Sequence, residues 1–133
     1  MTTEGGFFSL DHHINYLETD FDPTLNSIII KSVLDGISHI HKNKIVHRDI
    51  SLKSIFLKDN RIVKIGKFSE ADYEDYDGKV YGKLVDEMVR PPEMMSREIL
   101  PYTNKIDIWA VGELMFRIMT GKHATAFKNM SIF

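Results

Sequence analysis

The sequence contains no cysteine. That excludes disulfides, thiol nucleophiles and thiolate metal ligands, and it fits a reducing compartment. No apolar run approaches the roughly 18 residues of a membrane-spanning helix. The opening stretch MTTEGGFFSLDHHINYLETD lacks the basic-then-apolar order of a secretion signal. An intracellular location, cytoplasmic or nuclear, is therefore expected. An excess of either charge is missing too: 17 Lys and Arg stand against 19 Asp and Glu, a formal net charge of -2. That balance gives no reason to expect nucleic acid or an anionic membrane as a partner. His12, His13, His39, His41 and His123 show no metal-ligand spacing, so no metal site is expected. What remains is 133 residues, 43% hydrophobic and 27% charged, a composition suited to one globular domain.

Periodicity divides the chain. Ser9 to Leu17 reads as a short helix capped by Ser9. Pro23 suits a first helical turn, and Leu25, Ile29, Val33, Ile37 and Ile40 recur at helical spacing, predicting an amphipathic helix that ends near Lys42. KIVHRDI and SIFL are runs too short for helices. LKDNRIVKI predicts a tight hairpin, with Asp59 and Asn60 at the turn and Ile62 to Ile65 as the second strand. Gly66 to Pro101 holds no period and is punctuated by Gly78, Gly82, Pro91, Pro92 and Pro101, as a long functional or mobile segment would be. TNKIDIWAVGELMFRIMTGK is apolar on nearly every side. It predicts a helix buried all round, ended by Gly121.

Four stretches, in this order and spacing, carry a resemblance: DGISHIHKNKIVHRDI, IVKIGKFSEA, VRPPEMM and NKIDIWAVGELMFRIMTGK. They resemble the C-terminal lobe of eukaryotic protein kinases of the serine/threonine style. The resemblance implies a mainly α fold with short β-hairpins, a kinase-like C-lobe that is incomplete. The N-lobe, with its glycine-rich loop and strand lysine, is expected to be missing, as are the last helices. Residues 1–133 are then a partial kinase domain. The hinge and first C-lobe helix fall at about 1–20. The long helix, catalytic loop and hairpin fall at about 23–66, the activation segment at about 67–93, and the buried central helix at about 104–120.

The resemblance also assigns site positions. Asp49 stands where the family has its proton acceptor. Ser51 replaces a lysine that faces the transferred phosphate, and Ser54 replaces the magnesium-binding asparagine. Lys67, Phe68 and Ser69 align with Asp-Phe-Gly, so an ammonium stands where the metal-binding carboxylate belongs. A cation repels magnesium at close range. Asp86 stands where a threonine is usual. The architectural positions are retained: His47 and Phe68 match the internal hydrophobic spine, and Asp107 matches the aspartate that bonds the catalytic-loop backbone. Pro92 and Glu93 match the motif closing the activation segment. Phe56 stands beneath the adenine position, where it either fills that pocket or simply packs. Asp49 is either a base or a structural carboxylate bonding nearby backbone or Lys67.

The acidic, tyrosine-rich stretch EADYEDYDGKVY is a solvated loop or a partner for Arg48, with Tyr73, Tyr76 and Tyr81 as its modifiable residues. These positions imply a pseudokinase with a degenerate ATP site, acting as a protein-binding module or decoy toward a kinase, a kinase substrate or a regulator. No cofactor is expected, and Mg-ATP only if the family activity survives. The alternative is part of a serine/threonine kinase that transfers phosphate from ATP to protein. Unburied apolar side chains (Trp109, Met115, Phe116 and Met119 on the central helix; Phe7, Phe8, Phe56 and Phe68 near the hinge) imply self-association or a partner.

Overall fold

A computed structural model describes residues 4–17, 21–59, 61–82 and 101–120. Asn60, Asp86, Pro91, Pro92, Glu93, Gly121 and His123, singled out in the sequence, lie outside the described residues.

The first helix, α1 (Leu10–Asn15), begins where Ser9 Oγ accepts the His12 amide at 3.1 Å. That bond satisfies one of the orphan donors of a helix start. The helix stops two residues earlier than the sequence predicts. It is fastened to the sheet by His13, whose ring nitrogen Nε2 donates to the Leu57 carbonyl at 3.1 Å. The long helix α2 (Pro23–Lys42) starts at Pro23 as expected, with the Asp22 carboxylate accepting the Leu25 amide at 2.8 Å. Its buried stripe is Leu25, Ile29, Val33 and Ile37, four residues apart each time, so one face of the helix carries nearly all of its core contacts.

The hairpin forms at the expected place. Strand β3 (Ile55–Lys58) pairs antiparallel with β4 (Ile62–Ile65), in the register Ile55 to Ile65, Phe56 to Lys64, Leu57 to Val63 and Lys58 to Ile62. The turn closes with the Arg61 amide on the Lys58 carbonyl at 3.1 Å, and Asp59 takes a left-handed φ of 54°. Strand β1 (Phe8–Ser9) adds to the free side of β3, giving the order β1-β3-β4. Alternation then sorts the side chains. Ile55, Leu57, Val63 and Ile65 belong to the core shared with α2, while Phe56 and Lys64 face the other way as a cross-strand pair. A second small sheet pairs β2 (Ile45–Val46) with β5 (Asp72–Tyr73) over Val46, Val80, Tyr102 and Ile106.

Helix α3 (Lys105–Thr120) departs from the expectation of burial all round and agrees with that of uncovered apolar residues at Met115 and Met119. Ala110, Val111, Leu114 and Ile118 are buried in the main core, but Ile108, Met115 and Met119 are 50%, 41% and 60% exposed. The helix is therefore one-sided, not buried all round. Residues 108, 115 and 119 share a face at seven- and four-residue spacing, and Ile108 at one end of it borders a groove with Leu34, Ile37 and His41 of α2. Phe7 is a second departure. It is buried, because the Lys64 and Lys58 ammonium groups stand 4.8 and 5.7 Å from its ring centroid and their stems cover it. Phe68 is 44% exposed, as the sequence leads one to expect.

Candidate functional site

The loop between β2 and β3 hangs from one carboxylate. Asp107, buried near the start of α3, accepts the His47 amide at 2.8 Å and the Arg48 amide at 3.0 Å, and Nε2 of His41 donates to it at 2.8 Å. A buried carboxylate needs such a full set of donors. His47, fully buried, locks the other side. Its Nδ1 accepts the Asp49 amide at 3.1 Å, which leaves Nε2–H to donate to the Gly66 carbonyl at 2.7 Å. The loop is thus tied both to α3 and to the end of the hairpin. His41 was not singled out as a site residue by the sequence, since one histidine at a helix end carries no signal of a partner 66 residues away.

Ser51 and Ser54 close the loop on themselves. Ser54 is fully buried, and its Oγ accepts the Ser51 amide at 2.9 Å while donating to the Ser51 carbonyl at 3.1 Å. Its hydroxyl proton is committed inside the turn. Ser51 Oγ accepts the Lys53 amide at 3.2 Å. Asp49 is half-buried beside this turn.

After β4 the chain bends sharply. Lys67 is left-handed, φ 55° and ψ 59°, and opens a 3-10 turn over Phe68–Glu70 that holds exposed Ser69. Arg48 is left-handed as well, at φ 74°. A non-glycine residue held there costs about 1–2 kcal/mol, so packing must hold both backbones in place. The Phe68 ring sits 4.8 Å from the His47 ring, tilted by 58°. Arg48 Nη1 donates to the Glu70 carbonyl at 3.2 Å, and its guanidinium lies 6.0 Å from the Tyr102 ring centroid.

Beside the hairpin lies a cavity of about 680 Å³. Phe56 forms part of its wall, and Gly66 allows that placement: a Cβ there would stand 2.8 Å from the Phe56 ring. Lys67 lines it, together with two residues the sequence reading did not single out, Lys53 and Lys64. Lys64 faces Phe56 because Lys58 pairs with Ile62; a two-residue turn at 59–60 would have paired Lys58 with Arg61 and set Val63 opposite Phe56. His12 and Tyr16 also line the cavity, and His12 lies 4.7 Å from the Phe8 ring and 4.9 Å from that of Tyr16, stacked on both. Desolvation pushes the His12 pKa below its ordinary value, so His12 is neutral at pH 7. Asp49 is not among the lining residues.

The acidic stretch has an internal order of its own. Asp75 Oδ1 accepts the Asp77 and Lys79 amides, each at 2.9 Å, and Oδ2 accepts from the Tyr81 hydroxyl at 3.1 Å. This turn leaves Tyr76 96% exposed. The Lys79 amide, first among these bonds, lowers the Asp75 pKa below the ordinary carboxylate value. A lowered folded pKa means that the ionised form favours the turn. Its contribution is complete above the unfolded pKa, near 4, and is lost as pH falls through the lower folded value. In an NMR titration the Asp77 and Lys79 amide shifts should therefore hold through pH 4 and move only below it. Titration of both at an ordinary aspartate pKa would show that the turn is not closed by Asp75.

Residues 4–132 match the model of the protein kinase domain family. The chain is 37% identical over 106 residues to the serine/threonine-protein kinase Nek3 of Mus musculus, covering 71% of this chain and 19% of that protein. It is 32% identical over 96 residues to the serine/threonine-protein kinase PLK1 of Xenopus laevis, covering 70% and 15%. The chain thus spans under a fifth of these relatives. A chain in the crystal structure of the yeast RNA Pol II CTD kinase CTDK-1 complex superposes with a TM-score of 0.78 at 22% identity, over 87% of this chain and 38% of that one. That last likeness is one of fold.

Proposed function

The chain belongs to the protein kinase family, and we propose that it is a non-catalytic member whose role is to bind another protein. The observation that carries this reading is the fate of the two magnesium positions. Magnesium takes oxygen ligands in near-octahedral geometry. At one position the Ser54 hydroxyl is buried and bonded within its own turn. At the other, Lys67 brings an ammonium group to the cavity wall. Among the described residues no group of three or more His, Asp or Glu side chains is placed to hold a metal ion. The residues present do not fit magnesium, and phosphoryl transfer relies on charge stabilisation of that kind.

The frame around those positions supports the binding half of the proposal. Asp107, His47 and the left-handed Arg48 and Lys67 keep the loop in a fixed shape. Ile108, Met115 and Met119 are exposed on α3, and Ile108 with Leu34 borders a groove of about 380 Å³ between α3 and α2. Contiguous exposed apolar surface of this kind marks interaction sites. The partner is a kinase, a kinase substrate or a regulator that presents an apolar segment. Among the described residues no helix is long and apolar enough to cross a membrane.

The test is a radiolabelled-ATP assay on peptide mixtures with magnesium or manganese, run beside the Asp49→Ala variant. The expected result is no incorporation above that control. Incorporation by the unaltered chain that disappears in Asp49→Ala would favour the alternative, a working part of a serine/threonine kinase.

A further inference from the structure

Two separate surfaces of this chain complement one another. The first is the turn closed by Asp75. Residues 70–77 carry five carboxylates, on Glu70, Asp72, Glu74, Asp75 and Asp77, and no lysine or arginine. The turn has a fixed shape. Besides the bonds to its carboxylate, Asp75 donates its amide to the Lys79 carbonyl at 2.9 Å and accepts the Gly78 amide at 3.0 Å. The Glu74 amide donates to the Lys44 carbonyl at 2.8 Å, which extends the pairing of β5 with β2 and pins the turn to that sheet. At the tip Tyr76 is 96% exposed, with exposed Asp77 beside it. A ring carried on a fixed turn loses little further freedom when it binds.

The second surface is the cavity beside the hairpin. Lys53 comes from the loop before β3, Lys64 from β4 and Lys67 from the bend after it, and all three are exposed. A single carboxylate, Asp11, lines the same space, and its Oδ1 already accepts from Asn15 Nδ2 at 3.0 Å. Phe7, Phe56, Ile65 and Tyr16 give it an apolar and aromatic lining. None of residues 70–82 lines it, so the turn of the same copy does not fill it.

We propose that the turn of a second copy of this chain docks in this cavity, Tyr76 entering the apolar lining while Asp77 and the neighbouring carboxylates meet the three lysines. The inference rests on the reading above that the chain binds proteins, and it names one partner and the surfaces used. Charge complementarity selects the partner and the orientation: an acidic turn meets a basic rim, and two turns or two cavities repel. Aromatic side chains that enter a pocket anchor such interfaces, and each buries about 150–250 Å². The contact is head to tail, since each copy offers one turn and one cavity. Salt weakens it, because the lysines and Asp77 are solvent-exposed. Association through the apolar residues of α3 does not share that dependence.

Sedimentation of the full chain over a dilution series tests this. Raising the salt from about 50 mM to about 500 mM should weaken self-association by at least about tenfold. Two double variants then cut the two sides separately. Tyr76→Ala with Asp77→Lys alters the turn and leaves Asp75 to shape it. Lys53→Glu with Lys67→Glu reverses the cavity and leaves Lys64 over Phe7. Each alone should self-associate at least about tenfold more weakly than the unaltered chain. Mixed in equal amounts, they should recover association, because the intact turn of one meets the intact cavity of the other. Recovery also shows that both variants are folded. If either double variant melts early, Tyr76→Ala alone decides, since that side chain is exposed: unchanged association in it overturns the proposal. So does a monomer throughout the series at low salt, association that salt leaves unchanged, or a mixture of folded variants that associates no better than its components. None of these outcomes touches the non-catalytic reading, which fails on phosphate incorporation alone, or the docking of other proteins at α3.

Discussion

Replacing Asp107 with alanine is expected to lower the melting temperature of this chain steeply. The Asp107 carboxylate is 1% exposed and holds three donors: Nε2 of His41 and the amides of His47 and Arg48. Removing it strands the buried His47 amide and leaves the His41 ring without its acceptor. Breaking one side of such a buried network costs about 3–5 kcal/mol. That is a large part of the roughly 5–15 kcal/mol that stabilises an ordinary domain. Asp107→Asn keeps one acceptor oxygen but turns an NH2 toward a donor, so an intermediate loss of about 1–3 kcal/mol is expected. His41→Ala removes one donor of three and should cost less than either. Circular dichroism melts of the three variants give the order. An alanine variant that melts within a few degrees of the parent would mean that the loop is held by something other than Asp107.

That network shows where the sequence was informative and where it was not. Asp107 was visible because a resemblance assigned it a role. His41, its third donor, was not, because the partner of a lone histidine is set by how α2 lies against α3. The long helix and the hairpin were legible from period alone. Leu25, Ile29, Val33 and Ile37 repeat on one helical face, and the turn signal at 59–60 marks where β3 and β4 meet, though not their register. Lys64 was not in reach of the sequence, because a two-residue turn at 59–60 would have set Val63 opposite Phe56, and the observed register is one residue longer. Lys53 was not, since it projects from a loop whose shape depends on the Ser51–Ser54 turn. Phe7 was misjudged for a related reason: its cover is the stems of two lysines from different strands, which composition counts as charge. The replacement of asparagine by Ser54 was plain in the sequence, but the closing of its hydroxyl into the turn is a fact of three-dimensional geometry.

Helix α3 gives the second large effect, because its apolar residues divide by position and not by type. Leu114 is 2% exposed and packed in the main core, while Met119, five residues on, is 60% exposed. Leu114→Ala should cost about 2–5 kcal/mol through lost burial and the cavity left behind. In a domain of this size each kcal/mol lowers the melting temperature by several degrees, about 4–8 °C for 60–100 residues and about half that for 150–250. Met119→Lys should change stability by no more than about 0.5 kcal/mol, as exposed substitutions do. Its effect should appear in association instead. Charging the face formed by Ile108, Met115 and Met119 reduces its exposed apolar area, so dye binding by ANS and the scattering mass in size exclusion should both fall. Leu114→Ala should move them the other way by loosening the core. The two variants separate folding from docking on one helix. If Met119→Lys lowers the melting temperature as far as Leu114→Ala does, the face is covered in solution, and the partner surface must be sought elsewhere on the molecule.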